Sequence, residues 1–173
     1  MIHEFHDIVD DKNLCDKAID FFVNCNREQF IERASKFRGK TVPTLRIGDS
    51  RLRTELKVIS YKISQKLHCI DGEFIFPEYS NIVIWSPGQN MSVHTDNKLD
   101  IIKQRHYTAV CYLNDDYSGG ETFLPDHNYV CKPEKGKVIV FPSDYPHGVK
   151  MIQKGMRYTL AMWFTRDKNF VMW

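Results

Sequence analysis

Nowhere in these 173 residues do apolar side chains run on for the roughly 18 positions that a membrane-spanning helix requires, so no helical span is expected. Cysteine is sparse and shows no pairing pattern. The five residues (Cys15, Cys25, Cys69, Cys111 and Cys131) are odd in number, scattered, and never in CxxC spacing. Neither a disulfide framework nor a thiolate zinc site is expected, and reduced thiols in a cytoplasmic setting are the simpler reading. Residues 1–11 carry four acids and lack the apolar stretch of a secretory leader. Charge of one sign is also missing: a formal net charge of +2 does not by itself suggest a nucleic-acid partner. No repeat, low-complexity tract or interdomain linker interrupts the chain, whose length suits one domain over residues 1–173. With 42% hydrophobic residues, that domain can fill a packed core.

What is present changes period along the chain. Over residues 11–29, Leu14, Ala18, Phe21 or Phe22 and Cys25 recur at helical spacing, with Asp10 or Asp11 as a candidate cap. Over 50–68, Leu52, Leu56, Ile59, Ile63 and Leu67 form one apolar row behind a cap at Asp49 or Ser50, as expected of a helix lying on a sheet. Between them, Gly39, Pro43 and Gly48 punctuate a basic stretch (Arg33, Lys36, Arg38, Lys40, Arg46, Arg51 and Arg53) that contains one acid, Asp49. Its plainer reading is a solvated loop and helix face. The sharper one is a flexible basic flap that greets an acidic or phosphorylated partner, a candidate lid over the substrate.

From residue 73 the period drops to two. Strands are expected at about 79–85, 91–96, 107–113, 121–124, 129–132, 137–141, 147–151 and 156–164, separated by turn signals such as Ser118-Gly119-Gly120 and Pro133-Glu134-Lys135-Gly136. The fold class that follows is mainly β with supporting N-terminal helices. Residues 1–70 give the helical support and basic loop, and 71–173 give a jelly-roll core.

His94-Thr95-Asp96 ends an early strand. Residues i and i+2 of a strand share a face, so an imidazole and a carboxylate project together. With one remote histidine, His147, they would complete a 2-His-1-carboxylate facial triad, the ligand set of non-haem Fe(II) oxygenases. A structural metal such as zinc, or none, is the alternative in a non-catalytic jelly-roll module. Arg157 alternates with Thr159, Ala161 and Trp163 on one face of its strand, while Tyr158, Leu160, Met162 and Phe164 fill the other. A guanidinium among small residues suits a hollow interior. It needs a partner there, because an unpaired buried charge costs several kcal/mol. A dicarboxylate would satisfy it through the planar fork; pairing with Glu121 or escape to solvent are the alternatives. Tyr112 alternates with Val110 and Thr108, and its buried phenol needs a partner, either a ligand or the backbone.

The ordered blocks resemble a known family. Trp85-x-x-Gly88 leads to His94-x-Asp96. Then come Arg105-x-x-Thr108-x-x-x-Tyr112-Leu113-Asn114, Gly119-Gly120-Glu121-Thr122-Phe123-Leu124-Pro125, Pro133-x-x-Gly136-x-x-Ile139-x-Phe141, His147-Gly148-Val149, Gly155-x-Arg157 and Trp163-Phe164. In this order they resemble the Fe(II)/2-oxoglutarate-dependent dioxygenases, specifically the prolyl-4-hydroxylase-like branch, over about residues 81–164.

The resemblance implies a double-stranded β-helix with His94, Asp96 and His147 as iron ligands. It implies that Arg157 holds the far carboxylate of 2-oxoglutarate, with Tyr112 as phenol donor and Thr122 nearby. O2 is the oxidant, with ascorbate as an accessory reductant. Trp85, Arg105 and Trp163 fall at positions lining the substrate side, although Arg105 also reads as a plain surface charge. Asp96 favours hydroxylation, because related halogenating enzymes lack that carboxylate. Trp85 and Met91 stand where prolyl hydroxylases of the branch usually carry tyrosine, so the substrate side has lost polar handles. The expected reaction is hydroxylation of a C–H bond of a prolyl residue in a peptide or protein. The alternatives are a free amino acid or other small molecule; neither a membrane nor a nucleic acid is an expected partner.

Overall fold

The structure, a computed structural model, describes residues 1–25, 31–32 and 40–171. Seven strands form the larger sheet: β1 (His3–Phe5), β2 (Ile31–Glu32), β3 (Lys40–Pro43), β4 (Phe76–Trp85), β6 (Arg105–Tyr112), β10 (Val138–Pro142) and β13 (Arg157–Thr165). Their order is β1-β10-β6-β13-β4-β3-β2, antiparallel throughout. The second sheet is β5 (Met91–His94), β11 (His147–Val149), β8 (Thr122–Leu124) and β9 (Tyr129–Val130), in the order β5-β11-β8-β9. A two-stranded ribbon joins β7 (Ser118–Gly119) to β12 (Ile152–Lys154). This two-sheet arrangement is the jelly roll.

Two helices, α1 (Asn13–Asn24) and α2 (Ser50–Asp71), cover the outer face of the larger sheet. Alternation sorts each strand between that face and the interior. Ile82, Ile84, Ala109, Cys111, Val138, Val140, Leu160, Met162 and Phe164 pack with the helices. Val83, Trp85, Thr108, Val110, Thr159, Ala161 and Trp163 instead line a hollow. The apolar row of α2 is fully committed: Leu52, Leu56, Ile59, Ile63 and Leu67 are all buried, each contributing about 1.5–3 kcal/mol. Asp49 caps α2 by accepting from the amides of Arg51 and Leu52, and Gly72, at φ 73°, closes it with a hydrogen bond to His68 O.

The departures from expectation are local. Helix α1 stops at Asn24, where Cys25 turns extended, and residues 26–29 lie outside the described residues. Strand β1 is too short to show periodicity and exists because β10 offers it an edge. Ser118-Gly119, expected as a turn, pairs with Ile152–Lys154. In the basic stretch, Arg33, Lys36 and Arg38 lie outside the described residues, whereas Lys40–Pro43 is a strand paired to β4 and not a loop. Arg53 bonds Ile47 O and Arg51 pairs with Glu55, so these two charges serve the start of α2.

Candidate active site

His94 ends β5 and His147 begins β11, and the two are register partners across that pair. Their ring centroids lie 4.4 Å apart. Asp96, two residues beyond β5, turns between them, with Oδ1 3.4 Å from His94 Nε2 and Oδ2 3.4 Å from His147 Nε2. The three donor atoms lie within 4.8 Å of one another, the one such cluster of metal-binding groups among the described residues. Each imidazole also spends its other nitrogen on the backbone: His94 Nδ1 meets Ser92 O at 3.0 Å, and His147 Nδ1 meets Tyr145 O at 2.9 Å. That fixes Nε2 as the inward nitrogen of both rings, the orientation a metal needs. The Asp96 amide donates to Ser143 O, and Oδ2 accepts from Thr108 Oγ1 and from Trp163 Nε1, both at 2.8 Å. Burial works to raise the Asp96 carboxyl pKa. The hydrogen bonds and charges of His147 and His94 outweigh it and hold the group well below the usual carboxylate range. On His94, burial pulls down and Asp96 pulls up more strongly, so the imidazole is raised.

A second polar cluster lies deeper, at the far end of β13. Arg157 is 2% exposed, and no described carboxylate forms an ion pair with it. One of its terminal nitrogens donates to Thr122 Oγ1 at 3.0 Å, while its Nε is buried without a partner. Tyr112 donates its hydroxyl to the same Thr122 oxygen at 2.9 Å, and its ring centroid lies 5.4 Å from the guanidinium carbon. Tyr117 closes the group. Its hydroxyl is buried without a hydrogen bond and its pKa is pushed up to about 12 by burial, with Arg157 opposing. A Cβ on Gly120 would fall 2.4 Å from Ile152 Cδ1 and 3.1 Å from Arg157 Cδ, so only glycine leaves the guanidinium this berth.

A cavity of about 270 Å³ joins the two clusters. Its other walls include Trp85, opposite Arg157 in the β4–β13 register, and Met91. Arg105 lies over the Trp163 ring at 4.4 Å and directs Nε to both oxygens of Glu78, at 3.1 and 3.3 Å. Both partners are buried. The reading of Arg105 as a surface charge is therefore wrong.

The description "2OG-Fe(II) oxygenase superfamily" belongs to the family model that matches residues 78–165, half of the chain. The chain belongs to this superfamily. Iron(II), 2-oxoglutarate and O2 are accordingly its metal, cosubstrate and oxidant.

Among curated proteins, this oxygenase is 36% identical over 168 residues to prolyl 3-hydroxylase 1 of Mus musculus, covering 76% of this chain and 23% of that one. It is 41% identical over 70 residues to prolyl 3-hydroxylase 2 of Homo sapiens, covering 36% of this chain and 10% of that one. The chain thus spans no more than about a quarter of these relatives' length. Its fold is that of several solved prolyl hydroxylases. The viral collagen prolyl hydroxylase of Paramecium Bursaria Chlorella virus-1, solved with 2-oxoglutarate, has TM-score 0.73 and 18% identity over 96% of both chains. A Trichoplax adhaerens prolyl hydroxylase, solved with a peptide fragment of the hypoxia inducible factor oxygen degradation domain, has TM-score 0.75 and 19% identity, covering 98% of this chain and 85% of that one. A Pseudomonas putida prolyl-4-hydroxylase has TM-score 0.72 and 21% identity, covering 96% and 92%.

The oxygenase's residues fit both groups. The triad offers two imidazole nitrogens and a carboxylate around one point, and the guanidinium, without an ion-pair partner among the described residues, offers charge to a distant carboxylate. All nine residues singled out from the sequence (Trp85, His94, Asp96, Arg105, Tyr112, Thr122, His147, Arg157 and Trp163) stand in the cavity wall or, for Tyr112, in the layer bonded to it. Of the alternatives, the Arg157–Glu121 pair does not form, and Tyr112 bonds a side chain and not the backbone. Sequence reasoning missed Glu78, Asn81 and Tyr117. Glu78 and Asn81 reach the site through the pairing of β4 with β13, and Tyr117 from the bend before β7, and no local spacing signals any of them.

Proposed function

We propose that His94, Asp96 and His147 hold the ferrous ion, that Arg157, Tyr112 and Thr122 receive the far carboxylate of 2-oxoglutarate, and that residues 1–173 act as one catalytic domain hydroxylating a prolyl residue of a peptide or protein. The observation that carries this reading is a buried cation lacking a counter-ion, in the same cavity as a preassembled triad. Iron so held supplies the redox chemistry that couples oxidative decarboxylation of 2-oxoglutarate to insertion of one oxygen atom into a C–H bond. The protein's part is positional. Ser92 O and Tyr145 O hold the two imidazoles, while Thr108 and Trp163 fix the Asp96 oxygen that faces His147. Trp85, Val83, Val110 and Ala161 keep the interior dry and strengthen the Arg157–carboxylate attraction.

The prolyl substrate is supported by the named relatives and by the fold. Five cysteines, all free, favour the cytoplasm. The test is incubation with Fe(II), 2-oxoglutarate and a library of capped proline peptides, reading succinate and the mass gain of one oxygen. Wild type is expected to yield both and Asp96→Ala neither. Oxygen gain on free amino acids, with none on any peptide, would transfer the assignment to the small-molecule alternative.

A further inference from the structure

Among the described residues, four buried side-chain atoms lack a hydrogen bond. Arg157 Nε and the Tyr117 hydroxyl belong to the cosubstrate cluster, and Ser60 Oγ lies on α2. The fourth, Asn81 Oδ1, does not fit either place. Asn81 is 1% exposed and sits on the inner face of β4, lining the cavity. Its register partner on β13 is Ala161, next along that face to Trp163 and four residues from Arg157, so it stands toward the metal end and away from the cosubstrate cluster. A buried carboxamide oxygen without a donor is destabilising, and an arriving N–H would relieve it. A carboxamide is also the chemical image of a peptide group, able to accept from its N–H and donate to its C=O.

The charge at this end points the same way. Between Trp163 and Phe164 the pairing with β4 slips by one residue, opposing them to Tyr79 and Pro77 and leaving Glu78 as the extra residue. Glu78 meets the Arg105 guanidinium and neutralises the one cation that lines this end of the cavity among the described residues. Among the described residues a zwitterionic amino acid would find neither a free cation for its carboxylate nor a spare carboxylate for its ammonium, since Asp96 is committed to the triad. A neutral backbone meets both requirements.

We infer that Asn81 is a specificity residue that reads the backbone amide beside the target residue, and that the Glu78–Arg105 pair sets this end of the site for an uncharged peptide segment. The inference rests on the peptide reading above and names its recognition atom. A prolyl residue has no N–H, so the nearest backbone donor is the amide of the residue that follows it.

The test uses the protein loaded with Mn(II) and 2-oxoglutarate, with dissociation constants read by ligand-observed NMR. The probes are N-acetyl-L-prolyl-N-methylamide, the corresponding methyl ester (N–H replaced by O), and free L-proline. Wild type should bind the amide about 10- to 100-fold more tightly than the ester, the usual discrimination by a buried hydrogen-bonding group. Asn81→Leu, close in volume, should bring the two within about twofold. The inference is overturned if wild type binds amide and ester alike, if Asn81→Leu keeps the preference, if free proline binds as tightly as the amide, or if neither capped compound binds. The wild-type comparison decides even if the variant misfolds. The prolyl reading fails separately: amide preference lost on Asn81→Leu, with no oxygen gained on any proline peptide under turnover, would leave amide recognition standing and remove proline as the target.

Discussion

Replacing Arg157 by methionine separates a structural arginine from a ligand-binding one, because the two roles predict opposite changes in stability. The guanidinium is 2% exposed, has one hydrogen bond to Thr122, and has a buried Nε with nothing to donate to. Desolvating such an ion costs several kcal/mol, and the cosubstrate-free protein recovers little of it. An unbranched thioether, shorter but of comparable volume, should therefore stabilise the free protein by about 1–2 kcal/mol. At roughly 2–4 °C per kcal/mol for a domain of this size, Tm should rise by about 2–8 °C. Cosubstrate binding should move the other way. Losing one partner of a buried, hydrogen-bonded charge pair costs about 2–5 kcal/mol, roughly a thirtyfold to several-thousandfold weaker Kd. Calorimetry and thermal unfolding of the Mn(II) protein, with and without 2-oxoglutarate, read both quantities. Wild type at about a hundred times its Kd should gain about 2.7 kcal/mol from the ligand; the variant should gain almost nothing at that concentration. A variant that is less stable without ligand and binds 2-oxoglutarate normally would refute the reasoning and make Arg157 a packing residue.

His94→Ala and His147→Ala should each abolish Fe(II) binding, measured by competition with a chelating dye, while far-ultraviolet circular dichroism retains the β signature. Trp163→Phe removes the indole donor 2.8 Å from Asp96 Oδ2 and should weaken metal binding by about 10- to 100-fold in the same assay. Gly119→Ala puts a Cβ 2.2 Å from Met151 O at a φ of +73°; denaturant titration should show a loss of at least about 2 kcal/mol. Cys15 is fully buried, and burial raises its thiol from 9.0 to about 11. At pH 8 a thiol reagent should therefore modify exposed Cys69 first and reach Cys15 and Cys111 only after unfolding. Because the folded-state value lies above the unfolded one, the Cys15 contribution to stability is complete below pH 9 and lost as pH rises through 11.

Much of this site could be read before any coordinates because its signals are local. Strand alternation puts His94 beside Asp96, and it separates Arg157, Thr159, Ala161 and Trp163 from their apolar neighbours wherever the strand is placed. The apolar row of α2 needed only helical spacing, and Asp49 only its place before it. The interior arginine also signalled a charged partner, because a guanidinium alternating with small residues is too costly to bury otherwise. What failed was short or shared. Strands β1, β3 and β7 have three, four and two residues, too few for a period, and each forms because a neighbouring strand offers an unpaired edge.

Spacing alone put His94 beside Asp96, and the order of the motif blocks carried the resemblance to a dioxygenase class with a jelly-roll fold. Which side chains would close around that chemistry depended on strand register. Glu78 faces Arg105 through a one-residue slip between β4 and β13, Tyr117 meets Arg157 around a glycine that leaves room for both, and Asn81 comes to line the hollow because its strand lies beside β13. Such meetings are properties of the assembled sheet, in which burial makes a charge or an amide demand a partner that no stretch of chain could identify alone.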